Sequence, residues 1–286
     1  VKSSRWHRRA LAKLSRRPDA QIDLAEAALL IACEEYPGLD VEGYLRWLDN
    51  IACECRSWVR PGAGIYQVIG AINRGLFHEL GFQGDRRNYY DPANCYLNQV
   101  LERRLGIPVT LSILYLEVAW RLGFPMQGVG LPGHFIVKYV DSDEEIYIDP
   151  FYDGMILSPE DCQERVYQAT GDPDLFQPHH LGAVTKRQIL LRLLHNLKSI
   201  YVGREEYARS LAVIELILLI APWDLDEVRD RGLVHYHLGH YRLARRDLET
   251  YLAYRGDAED ASRIAKVLEM ARERVPRPGG EEAFEG

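Results

Sequence analysis

His134 and Asp149 stand fifteen residues apart, in the segments Gly130-Leu131-Pro132-Gly133-His134-Phe135-Ile136-Val137-Lys138-Tyr139 and Tyr147-Ile148-Asp149-Pro150. An imidazole beside a carboxylate is equipped for proton transfer, because the acid fixes the ring tautomer and stabilises the imidazolium. Covalent chemistry needs a third group, a hydroxyl or thiol activated by that base. The candidates are Thr110, Ser112 and Cys95. With one of them the chemistry would be attack on an amide or ester carbonyl, the reaction of a hydrolase or acyltransferase. Asn94, Asn98 and Gln99 carry amide donors suited to a bound carbonyl or oxyanion, although helix caps and solvated faces use the same groups.

The elements that must position these side chains follow from local pattern. Residues 134–140 and 145–149 are rich in Ile, Val, Phe and Tyr around the polar turn Asp141-Ser142-Asp143-Glu144, which predicts a β-hairpin. If Val140 pairs with Glu145, His134 and Asp149 fall on one face as diagonal neighbours, and a one-residue slip would separate them. Upstream, Asp91 and Pro92 predict the start of a helix that carries Cys95 in its first turn and closes at Gly106. A thiol there would be acidified by the helix dipole. A second helix begins near Pro108–Thr110, is apolar nearly all round and ends at Gly123-Phe124-Pro125, the pattern of a core helix.

Residues from about 22 to 160 resemble the SirB-like branch of the transglutaminase-core superfamily. The resemblance is carried by Leu24 to Ala32, Tyr36 to Asp40, Leu80-Gly81-Phe82, Asn94 to Thr110, Arg121-Leu122-Gly123, Gly128 to Phe135 and Ile148-Asp149-Pro150-Phe151. It implies a papain-like α+β core with a small antiparallel sheet, mostly helical, in which a cysteine opens the core helix and the His and Asp come from adjacent strands. His134 and Asp149 match two of those positions. Counting back from the Leu122-Gly123 helix end puts the nucleophile's position near Pro108, where this chain has no cysteine. The resemblance therefore implies a transglutaminase-like, non-catalytic regulatory protein. The alternative is the hydrolase or acyltransferase, with Thr110, Ser112 or Cys95 as nucleophile.

The remaining sequence falls into modules. Residues 1–18 form a basic arm: seven basic and no acidic residues in the first 17, against −7 for the chain, leave the other 269 at −14. Trp6, Ala10, Leu11 and Leu14 predict a short amphipathic helix that docks on this protein's own acidic body or on an acidic partner. Helices are predicted over 19–35, 41–58 and 64–80, wrapping the core, so the transglutaminase-like domain spans 19–160. A connector with one short helix occupies 161–184. From 185 to 275 the sequence is helical, and at an offset of 34 residues Tyr207 aligns with Tyr241 and Glu215 with Glu249. That period is the signature of tetratricopeptide repeats, here with extra residues between Gly203 and Tyr207 in the first copy. Tyr201, Tyr207, His235, Tyr236, His237, His240 and Tyr241 would line a peptide groove or pack between helices. Residues 276–286, rich in Gly, Pro and Glu, read as disordered.

Composition narrows the function classes. The acidic body disfavours nucleic acid, and no apolar run reaches the length of a membrane span. Five cysteines, an odd number in a chain large enough to form its cores without disulfides, fit a reducing cytoplasmic setting. No cofactor motif or zinc spacing is present, and His179-His180 alone falls short of a metal site. The expected partner is a protein or peptide; the oligomeric state is open.

Overall fold

The computed structural model describes residues 6–142 and 144–275. Lys2 and Arg5 of the arm, and the tail 276–286 expected to be disordered, lie outside the described residues. The chain divides into two compact units, the first running to Ile200 and the second starting at Tyr201.

The first unit is organised on helix α6 (Pro108–Leu122), buried along nearly all of its length. Pro108 takes the first helical position, where its fixed φ suits the helix and its missing N–H costs nothing. Gly123, at φ 91°, ends it in the left-handed conformation that glycine adopts without strain. Around α6 lie α1 (Trp6–Ser15), α2 (Leu24–Ala32), α3 (Val41–Arg56) and α4 (Ile65–Asn73), the last continued by a wider π turn, Arg74–Glu79. The arm helix α1 docks on its own unit: Leu11 and Leu14 are buried, and His7 and Arg8 both bond to Glu34. Helix α2 starts later than the apolar pattern suggests, because Asp23 caps it and residues Asp19–Gln21 form a separate 3₁₀ turn. Glu117 of α6 reaches the same helix start, accepting from Ala25 N at 2.9 Å while pairing with Arg121.

Helices are interrupted where the sequence predicts one continuous element. Pro92–Cys95 is a 3₁₀ turn capped by Asp91, Tyr96 is extended, and α5 (Leu97–Arg103) begins afresh. Arg104, left-handed at φ 60°, stops α5 two residues before Gly106. Cys95 therefore closes a turn and stands two residues before α5, outside the helical first turn in which the sequence pattern places its thiol.

Two short strands, β1 (Gln83–Gly84) and β2 (Leu105–Gly106), pair in parallel, and beyond α6 an antiparallel sheet forms in the order β6-β5-β4-β3-β7, from β3 (Gln127–Val129), β4 (Ile136–Val140), β5 (Glu145–Asp149), β6 (Met155–Leu157) and β7 (Ala183–Val184). The hairpin register pairs Val140 with Glu145 and Val137 with Ile148, as its turn demands. Strand β4 starts at Ile136, two residues later than expected. Gly133 at φ 71° makes a turn, and His134 N donates to Leu131 O. Helix α7 (Pro159–Thr170) and helix α8 (Lys186–Gly203) follow.

The second unit continues with α9 (Tyr207–Ile220), α10 (Leu225–His237), α11 (Tyr241–Tyr254) and α12 (Ala261–Arg274). Helices α9 and α11 begin 34 residues apart and end 34 residues apart. Gly203 and Gly239 stand 36 residues apart, but the offset from the 34-residue repeat disappears in space. Glu205, at φ 57°, occupies the left-handed position that Gly239, at φ 74°, holds one repeat later. The repeat is therefore in register, with a glutamate doing a glycine's work. Among the described residues no helix is long and apolar enough to cross a membrane.

Candidate functional site

His134 leaves the Pro132-Gly133 turn with its ring turned toward β5, and Nε2 lies 2.9 Å from Asp149 Oδ2. Asp149 is fully buried. Its other oxygen accepts from Phe151 N at 3.1 Å, and Arg165 Nε of α7 reaches Oδ2 at 3.1 Å. A carboxylate so enclosed needs these partners, because desolvation without them is costly. With Nε2 committed to Asp149, Nδ1 is the ring nitrogen left for a ligand.

His134 of this pair lines a cleft of about 510 Å³. Tyr89, Tyr90, Phe151 and Tyr152 make its aromatic walls, Arg192 of α8 also lines it, and the exposed Gln168 of α7 lies on its rim. Pro108, at the start of α6, faces the cleft together with His134. This is the place that the sequence count assigns to a nucleophile, and it carries a ring with neither hydroxyl nor thiol.

The other candidates are held elsewhere. Thr110 is two residues beyond Pro108, roughly 200° around the helix. Its buried hydroxyl accepts from Ile107 N at 3.0 Å and donates to Asn94 O at 2.8 Å. Ser112 lies about one turn deeper than Pro108, fully buried, with its hydroxyl directed to Phe135 O at 3.4 Å. Cys95 is fully buried, and burial pushes its thiol well above the ordinary range. None of the three lines the cleft. The structure brings His134 and Asp149 together, and none of the three proposed nucleophiles shares the cleft lining with His134.

None of the three amides lines the cleft. Asn94 is buried and donates to Asp85 and to Asn88 O, fixing the 85–94 loop. Asn98 is buried, and Gln99 donates to Glu102 on its own helix. Tyr201 is buried in the second unit, where Arg209 lies over its ring, and Tyr207 stacks on His237 with centroids 4.4 Å apart. Tyr241 instead borders a surface pocket with Leu243 and Arg274. Among the described residues no group of three or more His, Cys, Asp or Glu side chains is placed to hold a metal ion.

Sequence reasoning missed Arg165, Arg192, Tyr89 and Tyr152. They come from four separate stretches of chain, and only the Tyr-Tyr pair at 89–90, close behind two arginines, offers a local signal.

The transglutaminase-like superfamily profile matches residues 42–195, and a tetratricopeptide repeat profile matches residues 197–269. A "UPF0162 protein" of Xylella fastidiosa (strain 9a5c) is 37% identical over 268 residues, covering 90% of this chain and 93% of the relative. A "UPF0162 protein" of Vibrio cholerae is 36% identical over 185 residues, 64% of this chain and 68% of the relative. "F-box only protein 21" of Mus musculus is 33% identical over 186 residues, covering 60% of this chain and 28% of that protein.

Proposed function

The chain belongs to the transglutaminase-like superfamily, with tetratricopeptide repeats behind that domain, and on this premise we propose that it is a non-catalytic regulatory protein of the SirB-like branch, acting in the cytoplasm. It holds a protein or peptide partner through the His134 cleft and its helical repeats. The observation that carries this reading is Pro108 in the cleft beside His134, where a nucleophile would have to stand. The buried, hydrogen-bonded states of Thr110 and Ser112 support it, as does the likeness over part of its length to a protein named for an F-box. Tetratricopeptide-like helix pairs offer extended surfaces suited to partner proteins.

One observation favours the second reading, a hydrolase or acyltransferase: the His134–Asp149 pair keeps the geometry of a general base at 2.9 Å. The two readings separate in one experiment. Gln168 is exposed on the cleft rim, so Gln168→p-benzoylphenylalanine places a photo-crosslinker there. A light-dependent polypeptide adduct in living cells is the expected result. No adduct, together with amide or ester turnover that vanishes in His134→Ala, would replace binding by catalysis.

A further inference from the structure

The His134 cleft adjoins a second one of about 630 Å³, and Phe151 lines both. Arg165 and Arg192 line the first; Arg86, Arg87 and Arg103 line the second. The acids among the lining residues are Asp85 and Asp153, both in the second cleft. A chain of net charge −7 thus places five arginines along two clefts that share Phe151.

Two of the five are paired with carboxylates inside the protein, and among the described residues three are left without one. Asp85 is occupied: its carboxylate accepts from Arg87 N, Asn88 N and Asn94 Nδ2, shaping the loop that presents Arg86 and Arg87. Arg103 pairs with Asp91 through Nη2, while its buried Nη1 has no hydrogen-bond partner. Arg165 belongs to Asp149. Among the described residues no carboxylate pairs with Arg86, Arg87 or Arg192. Arg192 donates only to the carbonyls of Leu131 and His134, at 3.3 and 3.4 Å, and burial lowers its pKa. The Tyr152 ring carries the Arg86 guanidinium at 4.4 Å and the Arg165 guanidinium at 3.9 Å. Like charges gathered on one ring repel unless an anion joins them.

Guanidinium groups match carboxylates in planar, bidentate geometry. Beside them the aromatic walls offer a place for a ring. We propose that the two clefts together bind an acidic peptide segment, its carboxylates on Arg86, Arg87 and Arg192 and an aromatic side chain against Tyr89 and Phe151. The proposal rests on the reading of the His134 cleft as a binding site and names what that site selects. A long polyanion such as nucleic acid fits less well, because the acidic body repels it beyond the clefts.

The test uses the full chain and two rhodamine-labelled pentapeptide amides, Glu-Glu-Phe-Glu-Glu and Gln-Gln-Phe-Gln-Gln, read by fluorescence anisotropy. The acidic probe is expected to bind about tenfold more tightly and to weaken as salt rises. The exposed double variant Arg86→Glu/Arg87→Glu is expected to lose about tenfold in affinity for it. Indifference to that variant, or equal displacement of the acidic probe by a thymidine oligonucleotide, overturns the selection of an acidic peptide. Equal affinity for the two probes removes the acid preference but leaves a polypeptide site. Failure of both probes to bind overturns this inference, while the crosslink at position 168 judges the function on its own.

Discussion

Asp149 Oδ2 lies 2.9 Å from His134 Nε2 and 3.1 Å from Arg165 Nε, so one buried carboxylate oxygen joins the turn before β4 to helix α7. Asp149→Ala strips both side chains of their buried counterpart and is expected to cost about 3–5 kcal/mol. Asp149→Asn keeps one acceptor and costs less. Urea unfolding measures both, and a loss near zero for Asp149→Ala would show that the pair does not hold the fold together.

Pro108→Cys installs a thiol at the first position of α6, facing the cleft that His134 lines. The helix N-terminus and the imidazole both favour the thiolate. In a Cys53→Ser background, which removes the exposed native thiol, iodoacetamide is expected to label residue 108 first. The buried native thiols compete poorly, since burial raises Cys33 and Cys55 to about 11 and Cys162 to about 12. Labelling should slow several-fold when His134→Ala is added. A rate indifferent to His134 would place that ring out of reach of the position.

Acid should loosen the arm helix. Burial by itself would raise the Glu34 carboxyl, but hydrogen bonds from Arg8 and His7 outweigh it and hold the group below its usual 4.5. A folded-state value below the unfolded one stabilises fully above about pH 4.5, and that stability is lost as pH falls through the folded value. Wild type and Glu34→Gln are therefore expected to differ by about 1 kcal/mol at neutral pH and to converge in acid. A gap that widens on acidification would contradict the assigned direction.

Glu205 holds a left-handed conformation, φ 57°, that a side chain disfavours. Since its repeat counterpart is Gly239, Glu205→Gly is expected to stabilise the second unit by about 1 kcal/mol. Thermal unfolding reads the shift, and a lower melting temperature would mean that the glutamate side chain makes contacts worth more than the strain.

These elements also divide what the sequence discloses from what it does not. The hairpin register is legible, because alternation fixes the faces and the polar turn fixes the offset that brings His134 to Asp149. The limits of α6 are legible from Pro108 and Gly123, where backbone chemistry acts locally. The break at Tyr96 is not, since a 3₁₀ turn and a helix start share the same capping residues. The fate of Thr110 is hidden for a different reason: only the folded chain carries Asn94 O to within 2.8 Å of its hydroxyl. Arg165 and Arg192 meet His134 from helices with no fixed sequence distance to it, so no motif announces them.

The 34-residue spacing shared by the beginnings and the ends of α9 and α11 makes the second unit a modular stretch of chain. A segment of that length, excised or duplicated at a matching phase, would restore every helix boundary and return the chain to the same point in its cycle. The array is thus free to lengthen by whole increments over generations while the His134 cleft, encoded upstream of it, keeps its composition.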